Sequence, residues 1–472
     1  MDSYLVRKVG SHKGAPQVYL DVEALADAGF APGKTYNRTF NEDKRRIELT
    51  AQSNGNYVVC KKDRKGKTTP VIDINSAAAL KPFEGMEAVR VVIEAGRILI
   101  LPLASEANRL ERLRRTRENL ANGTVVTAGL SFGAGIMDHA AHAGLEEAGV
   151  DAQLAVAMEI DEDLINHAQE HNDIWRESTM GIAAPMQELV QDEAAMRRLP
   201  KVDVFCAGVP CSGASTAGRS SRKIAKMEDH PEVGHLMAPA LMILTRIQPT
   251  VAVFENVVPY SDTASAQILR QYLRDSGYDV QEVTLDASDF GCLEARKRWF
   301  LIGTTRGIEM DLNSIVPTMR PVRTIADVLE PIGPDASDWR TFEYLKTKEV
   351  RDTEKGNGFA MQVVTPESTS CGVLRKGYAK NGSTDPLLSH PSDPTLLRPF
   401  TVVEHARIKE VPEHLVGDTS KTMGHALLGQ SVAYKVVRSL FNRIGLSMVR
   451  WVEQGEQLVQ QSTQYSLLRA TG

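Results

Sequence analysis

The sequence predicts an α/β protein in which a mostly parallel sheet, covered by helices on both faces, follows a small β-rich domain. Three observations carry this expectation. From Thr124 onward, near-continuous apolar runs (TVVTAGL, AQLAVAMEI, VDVFCAGV, TVAVFENV, RWFLIGT) alternate with helical stretches. Strands that are apolar on both faces belong to parallel sheets with helices packed over them. Before that point the apolar runs are short, as in RRIELTA, NYVVC and GRILILPL, and are bounded by turn residues in the manner of strands and hairpins. Between the two parts lies SEANRLERLRRTRENLA, with Leu110, Leu113 and Leu120 at helical spacing and Ser105 placed to cap the helix.

In chain order the expected segments are a β-rich domain at 1–104, a linking helix at 105–123 and an α/β sheet at 124–304. A Pro-, Gly-, Ser- and Thr-rich insert follows at 305–397, then a return to helical pattern at 398–445 and a tail at 446–472. Within the first segment, Arg90 to Leu103 reads as a hairpin turning at Ala95-Gly96. The stretch LDVEALADAGFAPGKTYNRTFNEDKRRIELTA is echoed by IDINSAAALKPFEGMEAVRVVIEAGRILILPL. A helix with one hairpin cannot bury its own apolar face, whereas two copies can interlock. In that pattern the segment resembles the swapped-hairpin β-barrels of bacterial AbrB-like regulators. Its basic runs, Lys44 to Arg46 and Lys61, Lys62, Arg64, Lys65 and Lys67, suit either solvated hairpin tips or a phosphate-contacting patch.

Composition narrows the function classes. The 472 residues are 42% hydrophobic and 24% charged, with a net charge of -5. This excludes a fibrous or wholly disordered chain and confines any nucleic-acid footprint to a local patch. Five scattered cysteines, Cys60, Cys206, Cys211, Cys292 and Cys371, argue against a disulfide framework and for a reducing, cytoplasmic compartment. With no Cys-x-x-Cys pair and no His pair at zinc spacing beside the cysteines, no metal site is expected. The opening residues lack a signal peptide's apolar core, and no stretch approaches the ~20 apolar residues of a membrane span. No membrane partner is expected.

The motifs sit at predicted strand ends, where α/β sheets bind ligands. The first strand runs into Ser131-Phe132-Gly133-Ala134-Gly135, whose glycines let backbone approach a ligand. The second ends at Glu159, an acid placed to grip ribose hydroxyls. Together they point to a nucleoside-containing cofactor; apart, each is equally a tight turn or a capping acid. The third strand ends in Pro210-Cys211, while Cys206 inside it reads as core. The fourth ends in Glu255-Asn256. A thiol beside a carboxyl group on a neighbouring strand forms a working nucleophilic pair. Arg296 and Arg298 then precede another buried strand, where an arginine can orient a carboxylate or hold a phosphate.

The order Gly-x-Gly, acid, Pro-Cys, Glu-Asn-Val, Arg-x-Arg resembles the DNA (cytosine-5) methyltransferases over residues ~124–445. The segments SFGAG with Asp138, AMEID, GVPCSGAS, FENV, ARKRWFLIG, RPFTVVEHARIKEVPEHL and LLGQSVAYKVV carry the resemblance in family order. It implies a Rossmann-like sheet that uses S-adenosyl-L-methionine, held by Phe132, Gly133, Gly135, Glu159, Ile160, Pro210 and Ser431. It implies Cys211 as nucleophile, Glu255 at the base, Arg296 positioning the ring or Glu255, and Arg298 as a second candidate. The insert becomes a target-recognition region, with Ser215, Arg375, Lys376, Tyr378 and Lys380 as DNA contacts. Double-stranded DNA is the expected partner, in the cytoplasm at the nucleoid. A cognate restriction nuclease and a dimer through the N-terminal domain are further candidates. Several positions depart from the family pattern: Ile136 and Gln430 replace Gly and Asn, Glu294 replaces Gln, and Gly181 replaces an acid. Competing readings are an RNA cytosine-5 methyltransferase, a nucleotide-dependent oxidoreductase and a non-catalytic DNA-binding regulator. The oxidoreductase leaves the Pro-Cys, Glu-Asn-Val and Arg-x-Arg series unexplained.

Overall fold

The computed structural model describes residues 3–41, 45–64, 66–210, 226–315, 322–357 and 359–470. Lys44, Lys65, Cys211 and Ser215 lie outside the described residues. The chain forms two compact units, Met1–Glu111 and Arg112–Gly472.

In the first unit, the two sequence copies each contribute a short helix and a hairpin. The first has helix Ala24–Asp27 with strands Thr35–Asn41 and Arg46–Ala51; the second has helix Ala77–Leu80 with strands Ala88–Glu94 and Arg97–Pro102. The second strands of the two hairpins pair antiparallel, Arg97 opposite Thr50 through Ile100 opposite Ile47. This joins the hairpins into one six-stranded sheet. Alternate residues, Val89, Val91, Ile93, Ile98, Ile100, Ile47 and Leu49, then share a single buried core, which neither hairpin could close alone.

The charged helix runs from Ala104 to Ala121. Its second half is bound into the second unit by buried polar groups. The Arg112 guanidinium donates to Thr305 Oγ1, Gln248 Oε1 and Ser276 O at 2.7–2.9 Å and lies 4.0 Å from the Tyr278 ring centroid. The buried Asp203 carboxylate receives Thr116 Oγ1, Asn119 Nδ2, the Val126 amide and Arg115 Nε. A buried carboxylate is tolerated when its lone pairs are filled in this way.

The large sheet of the second unit has strands β1 (Thr124–Leu130), β2 (Asp151–Glu159), β3 (Met180–Ala183), β4 (Val204–Ala207), β5 (Val251–Asn256), β6 (Tyr278–Asp286) and β7 (Lys297–Thr305). Their order is β3-β2-β1-β4-β5-β7-β6. The first five run parallel, and β7 is antiparallel to both β5 and β6. The order reverses between β1 and β4, so a crevice opens at the carboxyl ends of β1, β2, β4 and β5. Because β7 runs backwards beside β5, with Asn256 opposite Trp299, the start of β7 reaches the same edge. One sheet face packs helix α1 (Ile136–Glu147) and the long C-terminal helix Tyr434–Ala470. The other packs Met237–Ile247 and Ala264–Asp275.

Between 324 and 400 a small lobe carries helix Glu343–Glu354 and a three-stranded sheet, Val363–Val364, Leu387–Ser389 and Leu397–Arg398. No helix among the described residues is long and apolar enough to cross a membrane.

Candidate active site

The loop after β1 turns through left-handed backbone at Ser131, Gly133 and Gly135, with φ of 53°, 58° and 74°. At Gly135 a Cβ would lie 2.4 Å from both Asn172 Nδ2 and the Phe132 ring, so glycine is required. A Cβ built at Gly133 would meet nothing within 4 Å among the described residues, which leaves room for a ligand against its backbone. Glu159, the last residue of β2, accepts the Gly133 amide at 2.8 Å and the Ile160 amide at 2.9 Å. A carboxylate held by these donors keeps lone pairs free for hydroxyl groups. Ile160 stands 64% exposed beside it, an apolar plate at the lip of the crevice. Glycine cradle, braced acid and apolar plate fit a nucleoside-bearing cofactor.

Phe132 is buried under the loop and packs edge-on against Trp175 at 6.1 Å. Pro210 closes the described segment after β4 and is half-buried. Ser431 ends helix Lys421–Gln430 and gives its hydroxyl to Leu428 O at 2.7 Å. The departures at Ile136 and Gly181 have local reasons. Ile136 begins α1 and turns into the core, away from the crevice. At Gly181 a Cβ would meet the Trp175 ring at 3.1 Å, so the indole takes that space.

At the carboxyl end of β5, Glu255 forms an ion pair with Arg298 Nε at 2.9 Å. Its neighbour Asn256 donates from Nδ2 to Val209 O at 2.9 Å, fixing the strand end that leads into the Cys211 loop. The structure places the two arginines apart. Arg296 is buried and turns to Glu294 and Gly429 O, each at 3.4 Å. Arg298, the second candidate by sequence, is the one that meets Glu255.

Glu294 lies fully buried behind this site. Its carboxylate receives the Leu374 amide at 2.9 Å and faces Lys409 Nζ at 3.2 Å. Burial alone would raise its pKa, but Lys409 and Arg296 outweigh burial and hold the group below the usual carboxylate range. Glu294 also bridges to Cys371 as an isolated β-pair. The substituted position thus anchors the start of the loop that carries Arg375 to Lys380. That loop lies against helix Lys421–Gln430 at Gly429, where a Cβ would come 2.2 Å from Arg375 C. Arg375 pairs with Asp385 at 2.7 Å, and Lys376 and Lys380 are exposed. Tyr378 faces inward: its ring is buried against Phe400 and His425, and its hydroxyl bonds Pro386 O and the Phe400 amide. A side chain so enclosed braces the loop.

In α1, Asp138 is buried, and its Oδ1 has no hydrogen-bond partner among the described residues. Burial lifts its carboxyl to about 8, against the opposing hydrogen bonds of its own backbone and Cys206. The folded protein therefore holds the acid neutral at pH 7, whereas the unfolded chain ionises it near 3.8. Its contribution to stability is intact below about pH 4 and is lost as pH rises toward 8. Asp138→Asn mimics the neutral acid. Denaturation midpoints should match wild type at pH 4 and exceed it at pH 8. A variant equally destabilised at both would refute the neutral assignment.

A family model described as C-5 cytosine-specific DNA methylase matches residues 130–446. Type II methyltransferase M.MspI of Moraxella sp is 24% identical over 284 residues, 58% of this chain and 62% of that protein, less than two thirds of its length. Type II methyltransferase M.NlaX of Neisseria lactamica is 25% identical over 305 residues, 63% of this chain and 90% of that one. Among solved structures, the S. pombe Dnmt2 methyltransferase shares the fold, with a TM-score of 0.55 and 20% identity over 69% of this chain and 99% of its own.

Proposed function

We propose a reaction from one premise: the chain belongs to the C-5 cytosine-specific DNA methylase family. The reaction is methyl transfer to carbon 5 of cytosine in a specific sequence of double-stranded DNA. S-adenosylmethionine supplies an electrophilic methyl group on a sulfonium centre. Gly133, Gly135, Glu159 and Ile160 hold its nucleoside, with Phe132, Pro210 and Ser431 around them.

Carbon 5 of cytosine is a weak nucleophile. The Cys211 thiolate attacks carbon 6, breaks the ring conjugation and gives carbon 5 enamine character. Glu255 holds a proton at ring nitrogen 3, which offsets the charge that develops during attack. Arg298 orients Glu255. Carbon 5 takes the methyl group, its proton leaves to water, and elimination restores the Cys211 thiolate. A base within a duplex lies out of reach of these groups, so the target nucleotide is flipped out. Ser215, Arg375, Lys376 and Lys380 contact the DNA around it, and residues 305–397 select the sequence. The N-terminal unit acts as an accessory DNA-contacting or dimerising element. A companion restriction nuclease suits the type II relatives.

The observation that carries this reading is the Glu255–Arg298 pair at the end of β5, beside the strand end that Asn256 secures. The test is base-resolution conversion sequencing of DNA from a methylation-free bacterial host expressing wild type or Cys211→Ala. Methylcytosine in one sequence context, absent with the variant, is the expected result. A folded, cofactor-binding wild type that leaves DNA unmodified would overturn the DNA assignment and move the substrate to RNA.

A further inference from the structure

A cluster outside the methyl-transfer site brings together side chains far apart in sequence. His139 lies on α1, Asp173 follows helix Glu162–His171, and His414 lies on the turn Glu413–Leu415. Asp173 Oδ1 is 2.8 Å from His139 Nε2 and 3.5 Å from His414 Nε2. One ligand atom from each residue lies within 4.8 Å of the other two.

We propose that His139, Asp173 and His414 form a binding site for a divalent cation of the zinc class, with solvent in the fourth position. Two imidazole nitrogens and a carboxylate oxygen are a donor set suited to such an ion. Around a tetrahedral zinc with bonds of about 2.0–2.2 Å, ligand atoms stand roughly 3.3–3.5 Å apart. The Asp173–His414 separation of 3.5 Å falls in that range and the Asp173–His139 separation of 2.8 Å is shorter, and His414 and Asp173 are exposed side chains with freedom to adjust. His139 Nδ1 meets the Tyr434 hydroxyl at 2.5 Å. A donated Nδ1–H there leaves the Nε2 lone pair directed at the ion, the outer-shell arrangement that metal-binding histidines commonly have.

The backbone carrying each ligand is secured. The His139 amide donates to Gly135 O at 2.8 Å. Asn172, beside Asp173, donates from Nδ2 to Ala134 O at 3.0 Å. His167 Nε2 meets Leu415 O at 2.9 Å, next to His414. Two of these bonds end on the Gly133–Gly135 loop. The sequence expectation of no metal site rested on short-range spacing. These three ligands are brought together by the fold.

The test is zinc titration of the chelator-treated full-length chain by calorimetry, with circular dichroism of every variant. Wild type should bind a single equivalent, and His171→Ala should bind the same. His414→Ala and Asp173→Asn should weaken binding at least tenfold, and Tyr434→Phe by about 10–100-fold. Cobalt(II) in the wild type should give a d–d spectrum without a thiolate charge-transfer band. The proposal falls if wild type shows no saturable binding, if His414→Ala and Asp173→Asn bind as wild type does, or if a thiolate band places the ion at a cysteine. None of these readouts requires methyl transfer.

Discussion

Arg298→Ala should lower kcat about 10²–10³-fold while leaving the denaturation midpoint close to wild type. That is the scale expected when a group that stabilises developing charge is lost. Arg298 stands at the start of β7, partly open to the crevice, with Nε 2.9 Å from the Glu255 carboxylate. Its removal leaves Glu255 without its guanidinium partner. Arg296→Ala should do the reverse: its partners are Glu294 and Gly429 O in the interior, so the loss falls on stability. Single-turnover methyl transfer, read beside thermal denaturation of both variants, separates the two. An active Arg298→Ala protein, together with an inactive but stably folded Arg296→Ala protein, would return the active-site role to Arg296.

Glu294→Gln should destabilise the second unit by about 3–5 kcal/mol, the usual cost of removing one partner from a buried ionic cluster. The substitution supplies the side chain common in the family, yet here it leaves Lys409 and Arg296 buried without their anion. Burial first, and then Arg296, depress the Lys409 pKa to about 7. A lysine depressed in the folded state is penalised most below that value, and the penalty eases as pH rises from about 7 toward its unfolded 10.5. Glu294 raises the Lys409 pKa, so in Glu294→Gln the buried lysine loses its proton at lower pH than in wild type, and the deficit should be largest at low pH and shrink as pH rises toward about 7. Glu294→Gln with Lys409→Met removes both charges and should recover much of the loss. Denaturant unfolding at pH 6 and pH 8.5 provides the measurement, and a single variant as stable as wild type at pH 6 would refute the ionic account.

Strand-end motifs were the most legible part of the site, because a parallel sheet fixes where a strand's last residues point. Gly133, Gly135, Glu159 and Glu255 each follow an apolar run and occupy the crevice edge. The arginines were harder. Arg296 and Arg298 are two residues apart in one basic run, and both could have faced the crevice. Their positions separate because the buried Glu294 carboxylate draws Arg296 inward, alongside Lys409 from a distant segment. Tyr378 stood among Arg375, Lys376 and Lys380 in what reads locally as a polar loop. Phe400, His405 and His425, from other parts of the chain, show its ring to be core.

By itself the sequence determined the alternation of apolar strands and helices, the hairpin echo near the start and the order of the site motifs. These are local properties, set by side-chain periodicity and turn chemistry within a few residues. Tertiary structure alone decided the antiparallel insertion of β7, the pairing of Arg298 with Glu255, the burial of Tyr378 and the meeting of His139, Asp173 and His414. Each depends on which distant groups share a low-dielectric interior or a common edge, and residue spacing along the chain carries no record of that.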